Sequence, residues 1–230
     1  MKRLLLVRHA VTDHTGHRLS GWLEGIHLSD RGREQAAALA KRLEPVKVDV
    51  VYASPLERCQ ETAAAIAGPR GLEVRPLAAV GEVRYGDWTG RKLADLAKED
   101  LWRLVQGFPS QVRFPNGESL YEMQVRSVAA IEELRQAHPG GTVVVCSHAD
   151  VIKAVTAHYL GLHLDAYQRF AVDPASLTAF AFAPEAAPVP YLLRLNETGD
   201  VGDLTPPQDA PPTTNGQAGA TTEEGASASA

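Results

Sequence analysis

Thr142-Val143-Val144-Val145-Cys146-Ser147-His148 reads as a short strand that runs out of apolar residues onto a polar pair. A β-branched apolar run without alternation is the pattern of a strand buried on both faces. Gly140-Gly141 precedes it, and a helix-like segment from about Ala149 to Leu160 follows, stopped by Gly161. The start of the chain repeats the arrangement, with Arg3-Leu4-Leu5-Leu6-Val7 running straight into Arg8-His9. Two buried strands, each delivering a histidine at its carboxyl end, point to an α/β sheet, because there the carboxyl ends of the strands form the ligand crevice.

The segments between these strands alternate in type. Ser29 is a good N-cap for a helix over Asp30 to Leu43, and Val48 to Tyr52 is a second short apolar run. Pro55, at a first helical position, opens a helix through Ile66 that Gly68-Pro69 ends. Leu72 to Arg75 reads as a short strand, Arg91 to Val105 as one helix, and Asn116-Gly117 as a turn. Glu118 to Gln136 is a long helix with apolar Leu120, Met123, Val128, Ile131 and Leu134. Leu177 to Ala183 and Tyr191 to Leu195 are two β segments that fit a hairpin. Strands separated by helices predict an α/β domain with a mostly parallel sheet and helices on both faces.

Charge is unevenly distributed. The 230 residues carry 23 Lys and Arg against 28 Asp and Glu, a net of −5. Glu197, Asp200, Asp203, Asp209, Glu223 and Glu224 account for six acids, and no Lys or Arg follows Arg194. Residues 1–196 therefore hold 22 acids and 23 bases, a net of +1. That balance excludes a generally basic nucleic-acid binder. Residues 197–230 contain Pro, Thr, Gly, Ala and acids but no aromatic, so the expectation is a disordered acidic tail beyond a domain at 1–196. A recruitment tail is its functional alternative. The apolar run after Met1-Lys2-Arg3 stops at Arg8, too short for a signal core or a membrane span. Cys59 and Cys146 supply neither a disulfide framework nor a four-ligand metal site. A soluble, cytoplasmic protein is expected.

The paired histidines suit phosphoryl transfer. A neutral imidazole is a nucleophile near pH 7 and can accept a phosphoryl group directly. The charge on the transferring oxygens calls for fixed cationic donors. Arg8 is one candidate, a protonated His148 at a helix N-terminus a second, and Arg58, after Ser54-Pro55, a third. Glu82, in a Gly-rich loop crowded with aromatics, is the candidate general acid.

Six blocks then make the sequence look familiar. Arg8-His9-Ala10-Val11-Thr12, Leu28-Ser29-Asp30-Arg31-Gly32, Ser54-Pro55-Leu56-Glu57-Arg58 with Thr62-Ala63, Glu82 to Gly90, Pro115-Asn116-Gly117-Glu118-Ser119 and Ser147-His148-Ala149 follow in order. Together they resemble the histidine phosphatase superfamily, the phosphoglycerate-mutase-like proteins. The resemblance implies a three-layer α/β/α sandwich and a reaction without metal or organic cofactor. It implies His9 as the phosphorylated nucleophile, Arg8, Arg58 and His148 as the phosphate pocket, and Glu82 as the acid/base. Thr15 stands where mutase-type members carry a substrate-contacting Asn, and Ser20 and Gly21 complete the expected substrate-binding set.

The departures bear on substrate. Ala10 and Ala149 replace family glycines, which requires negative φ at both positions, and Val11 stands where many members have Glu or Gln. The stretch between Glu82 and His148 is compact, without the insertions by which mutases enclose substrate. The expected function is therefore a phosphatase acting on a small phosphorylated metabolite. A phosphomutase is the alternative, and a non-catalytic phosphate- or partner-binding protein a second one. A homodimer is the assembly common among such proteins. His14, His17 and His27 read as exposed loop histidines, and Glu57 and Glu61 as a solvated helix face. Tyr85 and Trp88 either stack on a substrate or pack their loop down, and Trp22 is a candidate for the pocket wall.

Overall fold

A computed structural model describes residues 1–182 and 190–199. Six strands form one sheet: β1 (Arg3–Arg8), β2 (Val50–Ala53), β3 (Val74–Pro76), β4 (Thr142–Ser147), β5 (Leu177–Ala181) and β6 (Tyr191–Glu197). Their order is β3-β2-β4-β1-β5-β6. The first four are mutually parallel, with Val7 opposite Cys146 and Ala53 also opposite Cys146 across β4. β5 runs antiparallel to β1 and β6 antiparallel to β5. The expected hairpin is thus present, and β5 extends the parallel sheet as its antiparallel neighbour. The end of the first β segment, Ala183, and the tail from Asp200 onward lie outside the described residues; the expected boundary at 196 falls within β6.

The alternation of side chains along each strand makes the layers. Leu4, Leu6, Val143, Val145 and Phe180 face one core, while Leu5, Val7, Val144, Cys146 and Ala179 face the other. Helices α1 (Asp30–Arg42) and α2 (Glu57–Ala67) cover the second face through Ala36, Leu39, Ala63 and Ile66. Helices α5 (Leu120–Ala137) and α6 (Ala149–Tyr159) cover the first through Leu120, Met123, Ile131, Ile152 and Val155. The inner strands β1, β2, β4 and β5 are apolar on both sides because they are covered on both sides, while the edge strands β3 and β6 are partly exposed and carry Arg75, Arg194 and Glu197. The fold is the three-layer α/β/α sandwich.

Local chemistry sets the helix ends. Ser29 caps α1 by accepting from the Gly32 N–H, and Ser119 and Glu122 form a reciprocal capping box on α5. Two expected elements differ. α2 starts at Glu57, with Leu56 extended at φ −71° and ψ 138°, so Pro55 precedes the helix rather than opening it. Ser54 Oγ is engaged by His148 instead of capping α2. The single helix expected over Arg91 to Val105 is two, α3 (Leu93–Leu96) and α4 (Asp100–Gly107). Glu99 breaks it: its carboxylate accepts from Trp88 Nε1 and Arg91 Nη2, and its backbone is extended. Tertiary hydrogen bonds outweigh helix propensity here. No helix among the described residues is long and apolar enough to cross a membrane.

Candidate active site

β2, β4 and β1 are adjacent, so their carboxyl ends bring Ser54, His148 and His9 together, and α2 adds Arg58 one residue into its first turn. His9 Nδ1 lies 2.8 Å from the Ala10 carbonyl oxygen. The neutral tautomer that donates from Nδ1 leaves the Nε2 lone pair free. The Ala10 N–H donates to Thr62 Oγ1 at 3.1 Å, and that hydroxyl donates to the Arg58 carbonyl at 2.7 Å, tying the His9 loop to α2. Burial, then Arg58 and Arg8, hold the His9 imidazole well below its usual range, so it is neutral. Neither Ala10 nor Ala149 has positive φ, so both replacements of glycine are free of backbone strain. Ala175 does have positive φ, 56°, and its N–H donates to the Arg8 carbonyl at 3.1 Å.

The cations are held in place by backbone oxygens. Arg8 Nη1 donates to the Val172 carbonyl at 2.7 Å. Arg58 Nη2 donates to the Gly21 carbonyl at 2.8 Å and lies 3.4 Å from His148 Nδ1. Arg58 Nη1 is buried without a protein partner among the described residues. A buried guanidinium nitrogen left unpaired is a donor set aside for an anion.

His148 differs from expectation. It is fully buried, with Nε2 2.9 Å from Ser54 Oγ and its ring 5.2 Å from that of His9. Burial, followed by the charges of Arg58, His9 and Arg8, drives its pKa well below the usual range. The free protein therefore holds His148 neutral, not protonated, and an arriving phosphate dianion is what would favour its charged form. Its Nδ1 is 3.6 Å from Glu82 Oε2.

Glu82 is displaced in the opposite direction from the two histidines. Burial and then the charge of Asp150 push its carboxyl up to about 7, against the opposing pull of Arg58. Oε1 accepts from the Val83 N–H at 3.0 Å. The loop is clamped from behind by Arg126, which donates to the carbonyls of Ala79 at 2.7 Å, Gly81 at 2.9 Å and Glu82 at 2.9 Å. Glu118 pairs with Arg126 at 2.6 Å and accepts from the Arg84 N–H at 2.8 Å.

Arg8, His9, Thr15, Ser20, Arg58 and Glu82 all line one cavity of about 170 Å³. His148 lies behind this wall, and Gly21 acts through its carbonyl on Arg58 rather than facing the cavity. Ala149, the first residue of α6, also lines it, which brings the free amides of that helix's first turn to the rim. Tyr85 does both things expected of the loop aromatics: its ring packs on Phe114 at 5.0 Å and it lines the cavity. Trp88 does not line the cavity; it packs against Phe114 and Trp102 and donates from Nε1 to Glu99. Trp22 is outside the cavity, donating from Nε1 to the Glu82 carbonyl at 2.5 Å beneath the Arg84 guanidinium. Glu57 and Glu61 are more than a solvated face: they accept from the Gly25 and Leu28 N–H groups, each at 2.9 Å, and fasten the loop before α1 to α2. His27 pairs with Glu61, and among the described residues no group of three or more His, Cys, Asp or Glu is placed to hold a metal ion.

Asp150 and Arg18 line the cavity and were not singled out from sequence. Asp150 stands two residues after His148 in the first turn of α6 and accepts from the Tyr85 hydroxyl at 2.7 Å. An acid at a helix start has an ordinary reading as a complement to the helix dipole, which hides it. Arg18, which donates to the Gly90 carbonyl at 2.9 Å, has no local signal at all.

Known proteins share this fold. A family model described as histidine phosphatase superfamily (branch 1) matches residues 4–198. Phosphoserine phosphatase 1 of Hydrogenobacter thermophilus is 35% identical over 208 residues, spanning 89% of this chain and 96% of that protein. The adenosylcobalamin/alpha-ribazole phosphatase of Escherichia coli is 31% identical over 179 residues, 77% of this chain and 88% of the other. Among solved structures, a mutant phosphoserine phosphatase from Entamoeba histolytica in complex with phosphoserine superposes with a TM-score of 0.78 at 25% identity, covering 87% of this chain and 100% of that one. The chain belongs to the histidine phosphatase superfamily, branch 1.

Proposed function

We propose that the protein is a phosphatase that hydrolyses a small phosphomonoester through a phosphohistidine on His9. One observation carries the reading: a neutral His9 with Nε2 free stands beside the unpaired Nη1 of Arg58 and a Glu82 carboxyl that holds its proton near neutrality. The lone pair of His9 Nε2 attacks phosphorus in line, the P–O ester bond breaks, and the leaving oxygen takes the Glu82 proton. Water then attacks the phosphohistidine, gives a proton to the Glu82 carboxylate, and the P–N bond breaks with its electron pair returning to Nε2. Arg8, Arg58, His148 and the first turn of α6 offset the charge on the transferring oxygens, which is the work a metal does in other phosphatases. The raised carboxyl suits both halves, because an acid poised near the working pH can give and take the same proton.

The cavity volume favours a compact substrate, a phosphate on a chain of a few carbons, which fits a relative named for phosphoserine. Two buried thiols suit a reducing compartment, so we place the enzyme in the cytoplasm. Phosphatase assays with EDTA present, on the wild type and on His9→Ala, test the reading. Activity that survives EDTA and disappears in the variant is expected, with acid-labile label on the protein after quenching. Loss of activity with EDTA, or an active His9→Ala, would overturn it.

A further inference from the structure

A proton donor and an anion pocket work together only at a fixed separation, and a displacement of about 1 Å can cost about a hundredfold in rate. One dipeptide touches both parts of this site. The Gly21 carbonyl accepts from Arg58 Nη2 at 2.8 Å, and the next residue, Trp22, donates from Nε1 to the Glu82 carbonyl at 2.5 Å. Arg126 Nη2 reaches the same carbonyl at 2.9 Å, but from α5 behind the loop. Trp22 instead follows directly on the segment whose Arg18, Leu19 and Ser20 line the cavity.

The indole is closely fitted to the Glu82 loop. A Cβ on Gly81 would stand 2.4 Å from Trp22 Cζ2 and 2.7 Å from Cη2, so only glycine leaves the ring its place. The Arg84 guanidinium lies 4.7 Å from the ring centroid, and the residues on both sides of the 82–83 pair therefore hold the indole. The turn that carries it is itself fixed. The Leu23 N–H donates to the Ser20 carbonyl at 3.1 Å, and Leu19 bonds through its backbone to Gly90 and Arg91. Gly21 has φ 52°, and a side chain there would meet Tyr85 at 3.1 Å and Thr89 at 3.2 Å.

Resting on the acid role proposed above for Glu82, we propose that Trp22 is a positioning residue for proton transfer, with Gly21-Trp22 bracing the Glu82 loop against the guanidinium that holds the phosphate. The indole N–H touches no reacting atom. It fixes the backbone of residue 82, and the Glu82 side chain, which accepts from the adjacent Val83 N–H, moves with that backbone. Loosening the brace leaves His9 and the anion donors in place and impairs delivery of the proton to the leaving oxygen.

Trp22→Phe keeps an aromatic ring against Gly81 and Arg84 and removes the donor. kcat/KM is measured for wild type and variant on p-nitrophenyl phosphate, phenyl phosphate and O-phosphoserine, whose leaving groups become steadily poorer, together with inhibition by inorganic phosphate. The loss should grow along that series, from within about threefold for p-nitrophenyl phosphate to about tenfold to hundredfold for O-phosphoserine, with the inhibition constant of phosphate held within about twofold. A weakened fold or a displaced Arg58 would instead lower all three substrates alike. Gly81→Ala pushes the indole away from the other side and should reproduce the gradient, so the test does not depend on the folding of one variant. A uniform loss, or none, would overturn the positioning role. Glu82→Gln is the reference: a gradient there with none in Trp22→Phe refutes Trp22 alone, and a flat response in both refutes the acid role on which it rests. No turnover of any of the three by wild type would refute the phosphatase reading.

Discussion

Replacing Glu82 by Gln removes the proton the leaving group is proposed to take while preserving size and the bond to the Val83 N–H. The carboxyl is pushed from 4.5 up to about 7, a preference for the protonated form on the order of a few kcal/mol. At pH 6 most of the free enzyme therefore carries the acid ready to donate, whereas an unperturbed Glu would be almost wholly ionised. General acid catalysis of this kind contributes about 10²–10⁴-fold, so Glu82→Gln should lower kcat/KM for O-phosphoserine, whose alkoxide leaves poorly, by about that factor. For p-nitrophenyl phosphate the phenolate leaves well without a proton, and the loss should stay within about tenfold. The assay is kcat/KM from pH 5 to 9 for both enzymes on both substrates. Wild type acting on O-phosphoserine should decline above about pH 7, as Glu82 loses its proton, and the variant should lack that limb. Titration of the substrate phosphate is common to both enzymes and cancels in their ratio. An equal loss on the two substrates, or a wild-type to variant ratio that does not fall above about pH 7, would refute the assignment of Glu82 as proton donor.

Arg58→Lys keeps the charge but cannot donate at once to the Gly21 carbonyl and to the anion served by the unpaired Nη1, so kcat should drop by about 10²–10³ in steady-state assays. His9 and His148 are held neutral in the fold and would bind protons once unfolded; because their folded pKa values are depressed, their contribution is complete above about pH 6.5 and shrinks as pH falls below it. Urea midpoints should decline below that pH, and His9→Ala, with one buried imidazole fewer, should show the shallower slope. Gly32→Ala should destabilise by about 1–3 kcal/mol in urea unfolding, because the new Cβ would sit 2.1 Å from the Val11 carbonyl oxygen. Arg126→Ala frees the carbonyls of Ala79, Gly81 and Glu82 and should lower kcat more than it raises KM, a split that a purely structural role would not produce.

Local pattern was enough to recognise the fold because the strands are apolar on both sides. Leu4 to Val7 and Val143 to Cys146 alternate between two cores, and only a sheet covered on both faces accepts such runs. Ser29 behaved as a cap for the same local reason: a cap needs only its own helix. Pro55 and the helix over Arg91 to Val105 failed as local readings, since Ser54 is drawn to His148 and Glu99 to Trp88 and Arg91, partners distant in the chain or set by packing. His9, Arg58, Glu82 and His148 could be found from sequence because short blocks around them keep a characteristic spacing.

By itself the sequence determined the sandwich, the order of its strands and helices, and the residue types that meet at the carboxyl ends. Their protonation was beyond its reach. Whether His148 is charged depends on its complete burial beside Arg58, and whether Glu82 keeps its proton depends on burial and on Asp150, 68 residues away in the chain. Asp150 likewise looks like an ordinary acid at a helix start until Tyr85 is seen to hold it at the cavity. Composition and spacing name groups, but a pKa or a ligand preference is set by distance and dielectric, and those exist only once the chain is folded.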